Sequence, residues 1–167
     1  MNVVTSRLEL VQVTLPIVEA DLHRRDELPA LLDAEIAEGW PPPLMDVAAM
    51  ERHKQAHIDD PALGPWSSWY WITLEPRVLI GLSGFKSRPQ NGSVEIGYSL
   101  MPAYHGKGYA TEAVNAQVKW AFENDVARVV AETLPELIAS QRVLLKCGFK
   151  QTAPASEPGV LRFERCR

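Results

Sequence analysis

Long apolar runs are missing from this chain: nothing approaches the ~18 consecutive apolar residues that a membrane-spanning helix needs. The opening stretch, Met1 to Leu10, has no basic segment leading into an apolar one and does not read as a signal peptide. The expectation is a cytoplasmic protein without a membrane partner. Cysteine is scarce too. Cys147 falls at a predicted helix end and Cys166 beside the C-terminus, so no disulfide framework is available and both read as free thiols. No histidine or other base accompanies Cys147 in the sequence, which places it in the core rather than in nucleophilic chemistry. Clusters of Lys and Arg are also lacking. A net charge of −4 offers no stripe for phosphate contacts and argues against a nucleic-acid partner. No repeat or low-complexity segment appears, and 167 residues make one domain, residues 1–167, with a real core.

What is present is most informative between Glu95 and Ala113, which reads as strand, glycine turn, helix. Val94, Ile96, Tyr98 and Leu100 alternate with Glu95, Gly97 and Ser99, the period of a strand, and Pro102 ends it by removing a ladder donor. Ala110, Ala113, Val114, Val118, Ala121 and Phe122 then share one helical face. Gly106 and Gly108 therefore stand where a helix N-terminus presents unpaired N–H groups and positive dipole, a place for an anion, although a plain glycine turn has the same local look. Two other glycine loops fail on spacing. There is no Gly-x-x-x-x-Gly-Lys-Ser/Thr, and a dinucleotide loop would require glycine where Thr111 stands.

The loop resembles the Gln/Arg-x-x-Gly-x-Gly/Ala signature of the GNAT N-acetyltransferase superfamily, with Gly108 and Ala110 in its last two fixed positions and His105 in the first. The resemblance runs from about Trp69 to Phe149. Val94 to Tyr98 looks like the family's central strand and Tyr109 to Ala113 like the start of its cofactor helix. Ala139-Ser140 followed by Lys146-Cys147-Gly148-Phe149 looks like its second motif. The wording is closest to the branch of ribosomal-protein N-terminal alanine acetyltransferases, the RimJ/RimL type.

That resemblance implies acetyl-CoA as cosubstrate, no metal, and direct attack of a primary amine, on a protein N-terminus or a small molecule, on the acetyl thioester. It implies N–H donors at the strand end Ser99, Leu100 and Met101, and a pyrophosphate cradle of His105, Gly106, Lys107, Gly108, Tyr109, Ala110 and Thr111. Ser140 is either a contact to the pantetheine arm or the N-cap of its helix. Glu95, on the strand beside the expected thioester, is the candidate base through water, or else an exposed strand residue or a partner of the acceptor. Two departures stand out: Leu144 replaces the tyrosine that in many members protonates the departing thiolate, and Leu137 replaces a common asparagine. They motivate an alternative, a module that binds acyl-CoA without turnover.

Charge is unevenly spread. Residues 19 to 60 carry eleven Asp and Glu against four Lys and Arg, a local −7 that leaves +3 for the remainder. In the family this early segment flanks the acceptor, so the split suits a cationic amine, or else simply solvates helix surfaces.

The remaining patterns predict strands over Leu8 to Thr14, Ser67 to Leu74, Val78 to Lys86 and Arg128 to Leu134. They place helices over Arg24 to Ala37 and Val47 to Asp60, and a closing hairpin over Lys150 to Ala153 and Gly159 to Glu164. The fold class is mixed α/β: one mostly antiparallel twisted sheet with helices on both faces. The stiff Gly39-Trp40-Pro41-Pro42-Pro43 loop nominates Trp40 as an acceptor-pocket residue. Trp69 and Trp71 share one strand face and Tyr70 the other, a pattern read as core more than pocket. Neither acceptor identity nor the choice between monomer and homodimer follows from these residues.

Overall fold

The computed structural model describes residues 1–167. Its strands are β1 (Asn2–Val4), β2 (Leu8–Gln12), β3 (Glu35–Ile36), β4 (Ser68–Thr73), β5 (Val78–Phe85), β6 (Ser93–Leu100), β7 (Arg128–Thr133), β8 (Lys150–Thr152) and β9 (Leu161–Cys166). Its helices are α1 (Leu15–His23), α2 (Leu28–Leu32), α3 (Val47–Asp59), α4 (Tyr109–Glu123) and α5 (Ile138–Lys146). The sheet runs β1-β2-β4-β5-β6-β7-β9-β8, with β3 beside β5. Only β3 with β5 and β6 with β7 are parallel pairs. No helix is long and apolar enough to cross a membrane.

Strand alternation sorts the helices onto two faces. Trp69 and Phe85 point to the face of α4, where both rings lie against Trp120 at 5.4 and 6.0 Å between centroids. Tyr70 and Ser68 point to the other face, toward Asp21 of α1 and His53 of α3. All four residues from Trp69 to Ile72 are buried, so the aromatic run is packing on both sides of the sheet.

The early helical region differs from expectation. In place of one helix from Arg24 to Ala37, the chain forms a 3-10 turn, α2 and the short parallel strand β3, preceded by the unforeseen helix α1. Prolines decide this. Pro16 and Pro29 each stand in the first turn of a helix, where a missing N–H costs nothing, and Pro29 could not sit inside a longer one. Asp33, at φ 48°, closes α2 in the left-handed region. The N-terminal hairpin partner β1 also went unforeseen, because three residues carry too little alternation to register.

Asp21 holds this region to the sheet. Its side chain is 0% exposed and accepts hydrogen bonds from Tyr70 Oη at 2.5 Å, from Trp40 Nε1 at 3.0 and 3.1 Å, and from Arg25 Nε at 2.8 Å. Burial, and then the Asp21 charge, push the Tyr70 phenol well above its ordinary range, so it remains a donor. Asp21→Ala leaves two buried donors and the Arg25 guanidinium without their acceptor. The expected cost is about 3 kcal/mol or more, read as a lower urea midpoint at unchanged m-value.

Candidate active site

The central strand is joined to its two neighbours over very different lengths. β6 pairs with β5 along Ile96 to Leu100 and beyond, but with β7 only through Ser93, Val94 and Glu95 against Arg128, Val129 and Val130. From Ile96 onward the two parallel strands diverge and leave a notch. Lys86 N–H donates to Glu95 O at 3.0 Å and Met101 N–H to Ile80 O at 2.8 Å. Odd-numbered residues of β6 therefore face β5, and the alternation of an antiparallel ladder turns the N–H groups of Tyr98 and Leu100 toward the notch. This corrects the expected donor set: the amides of Ser99 and Met101 point to β5, while Tyr98 joins Leu100.

Tyr98 also spans the notch with its side chain. Its hydroxyl donates to the Ser140 carbonyl at 3.0 Å and lies 3.0 Å from Ser140 Oγ. Burial raises the phenol far above its ordinary 10, opposed by the hydrogen bond with Ser140, so it stays protonated. Ser140 lies inside the first turn of α5, whose N-cap is Leu137, so the capping role expected for Ser140 is not the one it has. Leu144 is fully buried and presents no proton donor to the notch.

Beyond Leu100 the chain forms the glycine turn. Gly106 and Gly108 have φ of 75° and 84°, left-handed values that side chains rarely adopt, and Gly108 is the N-cap of α4. None of the six successive backbone N–H groups from Gly106 to Thr111 has an acceptor within the chain. They open at the positive end of a fifteen-residue helix. His105 is engaged with the strand end. Its Nε2 lies 2.9 Å from the Leu100 carbonyl, which requires that nitrogen to carry the proton, so it braces the strand end.

A clamp that local sequence patterns do not reveal fixes this turn. The β1–β2 connection supplies Thr5 Oγ1 at 2.6 Å, Ser6 Oγ at 3.0 Å and Arg7 N–H at 2.9 Å, all donating to Glu112 Oε1. Arg7 adds Nε and Nη2, both 2.7 Å from Glu112 Oε2, and Nη1 at 2.9 Å from the Lys107 carbonyl. Its guanidinium lies 4.6 Å from the Tyr109 ring centroid. Burial works to raise the Glu112 carboxyl, but the four hydrogen bonds outweigh it and hold the group below its ordinary range. Arg7 thus neutralises a carboxylate that would otherwise repel an anion one turn away.

On the opposite face of the sheet lies a groove of about 450 Å³. Its floor is open at Gly97, where an added Cβ would meet nothing within 4 Å, while Gly84 opposite it on β5 lets Ser67 and Ser68 pack close. Arg52 and His53 of α3 and Lys86 line it, together with Leu44, Met45 and Ser99. His53 Nδ1 lies 2.8 Å from Ser68 Oγ, and burial, then the charges of Arg52 and His57, keep the imidazole below its ordinary 6.5. Glu95 is 27% exposed and ion-paired to the Lys86 ammonium. Trp40 is absent from the lining. Only 7% exposed, its ring packs edge-on against Tyr70, and the proline loop reaches the groove instead through the Pro43 carbonyl, bonded to Ser99 Oγ at 2.6 Å, and through Leu44 and Met45.

Residues 15–150 match the family model described as an acetyltransferase (GNAT) domain. The chain belongs to the GNAT acetyltransferases. An uncharacterized N-acetyltransferase of Bacillus subtilis, YjdG, is 26% identical over 147 residues, covering 87% of each protein. The fold is shared with an acetyltransferase from Agrobacterium tumefaciens, at a TM-score of 0.70 and 22% identity over 100% of this chain and 95% of that one. It is also shared with RimL, a ribosomal L7/L12 α-N-protein acetyltransferase solved in complex with coenzyme A, at a TM-score of 0.66 and 21% identity over 98% and 96% of the two chains. Acetyl-CoA is the family's acyl donor, and this GNAT protein has the open strand edge and the free N–H groups of such a site.

The cradle gives a direct test. In Gly108→Ala, φ 84° becomes strained and the new Cβ lies 3.4 Å from Arg7 Nη2. A stability loss of about 1–2 kcal/mol is expected in chemical denaturation, with acetyl-CoA affinity falling about tenfold in calorimetry.

Proposed function

We propose that this protein is an acetyl-CoA-dependent N-acetyltransferase that passes the acetyl group directly to a primary amine. The observation that carries this reading is the meeting of notch and groove at Gly97 to Ser99: an edge of unpaired strand amides on one side, an open, water-accessible cavity on the other. The amides from Gly106 to Thr111 would hold the pyrophosphate, and Tyr98 and Leu100 N–H would meet the pantetheine amides or the developing oxyanion. In the reaction the amine nitrogen bonds to the thioester carbonyl carbon and the C–S bond breaks. The thiolate, with a reference pKa of ~8.5, leaves without an acid from Leu144 and takes its proton from water.

The amine must shed a proton, and two groups are placed to receive it. Glu95 stands on the strand but is held by Lys86, whereas His53 lines the groove itself and is neutral at pH 7. The geometry favours His53, with Ser68 orienting its ring. His53→Gln is expected to lower kcat about 10- to 100-fold and to abolish the acid limb of the pH profile. In the wild type that limb lies below 6.5, because the depressed pKa keeps the imidazole unprotonated down to lower pH. Glu95→Gln is expected to keep the limb; loss of the limb there instead would return the proton to Glu95.

A second reading, acyl-CoA binding without turnover, draws on Leu144 and Leu137. Calorimetric titration with acetyl-CoA followed by CoA release across an amine panel separates the two. One-site binding with thiol release supports the transferase, binding without release over the whole panel supports the module, and absence of binding overturns both.

A further inference from the structure

The acidic early segment does not reach the groove. Asp21 is buried against Arg25, Asp46 caps α3 by accepting from Ala49 N–H at 2.7 Å, and Asp60 pairs with Arg88 at 2.9 Å. Glu19, Glu27 and Glu51 are engaged with Lys54, Arg24 and His23. No aspartate or glutamate lines the groove, while Arg52 and Lys86 both do. The two cations are not equivalent. Lys86 is neutralised by Glu95, whereas Arg52 makes no ion pair or hydrogen bond with any group of the chain. A groove so lined offers an ammonium group no unpaired carboxylate, and its one unpartnered charge is a planar guanidinium suited to grip two oxygens at once.

We propose that the acceptor is a small primary amine that also carries a carboxylate, of the amino-acid class, with Arg52 binding the carboxylate and the amine directed over Gly97 toward the notch. This rests on the transferase reading and names its substrate class; it replaces the cationic acceptor that the segment charges suggested. The glycine floor leaves room for the amine-bearing carbon beside β6, and the groove volume suits a single small molecule. The cations contribute to the chemistry as well. A positive charge near the bound amine disfavours its protonated form, so a larger share is present as the neutral nucleophile. Atoms balance: the amine loses one proton to the groove base, the amide N–C bond forms as the C–S bond breaks, and the product keeps its carboxylate on Arg52. A polyamine, carrying two or more charges of the wrong sign, is repelled.

The test compares aminocarboxylates, their carboxamides, a polyamine and a free peptide N-terminus by CoA release. The expected result is turnover of aminocarboxylates with kcat/KM at least about tenfold above the others. Arg52→Gln, a change at an exposed side chain with no partner in the fold, is expected to raise KM for the aminocarboxylate about tenfold or more while kcat moves less than about threefold and the carboxamide KM stays put. Arg52→Glu is expected to shift preference toward cationic amines. Release with polyamine or peptide but not aminocarboxylate, or a KM indifferent to Arg52, overturns this proposal and leaves the transferase standing. Acetyl-CoA binding with no release from any amine overturns the transferase reading and this one with it.

Discussion

The unequal pairing of β6 is the constraint on which the rest depends. A central strand normally satisfies its backbone on both edges. Here one edge is fully bonded to β5, while the other is bonded to β7 over only three residues before the strands part. Unpaired amides in an interior strand are costly unless something meets them. The divergence is tolerable because it is open to solvent and, in this family, to an acyl donor that supplies amide partners of its own. The Tyr98 link to Ser140 fixes how far α5 stands from the strand.

The second requirement is a rigid helix start. Six free N–H groups aimed outward would fray, and an acidic residue in the first turn, favourable to the dipole, would oppose an incoming phosphate. The Thr5-Ser6-Arg7 clamp on Glu112 resolves both at once. It anchors α4 to the far edge of the sheet and cancels the carboxylate's field with a guanidinium that also bonds the Lys107 carbonyl. Asp21 does comparable work on the other face, gathering Tyr70, Trp40 and Arg25 so that α1 and the proline loop are held together against β4.

Much of the scaffold was legible in the residues. The strand from Ser93 to Leu100, the turn at Gly106 and Gly108, the helix behind it and the closing hairpin all stand within a few residues of where periodicity placed them. The errors have two causes. The helix over Arg24 to Ala37 was read from apolar spacing where Pro29 and a left-handed Asp33 divide the segment. Trp40 was assigned to a pocket from its stiff loop, but a buried carboxylate nineteen residues earlier draws its indole inward. The first was decided by residues inside the segment, the second by a partner outside the local window.

The family, the glycine turn and the helix start behind it follow from sequence alone, because glycine conformation, helix onset and strand alternation are set by neighbours in the chain. The lining of the groove was decided only by tertiary structure. Arg52 and His53 line the same groove as Gly84 and Gly97 across thirty or more intervening residues, and charge summed along a segment says nothing about which carboxylates are already paired. Backbone amides likewise acquire direction only when a strand's neighbours are known. The N–H groups of Tyr98 and Leu100 therefore face the notch, and those of Ser99 and Met101 do not, through the hydrogen bonds of β5.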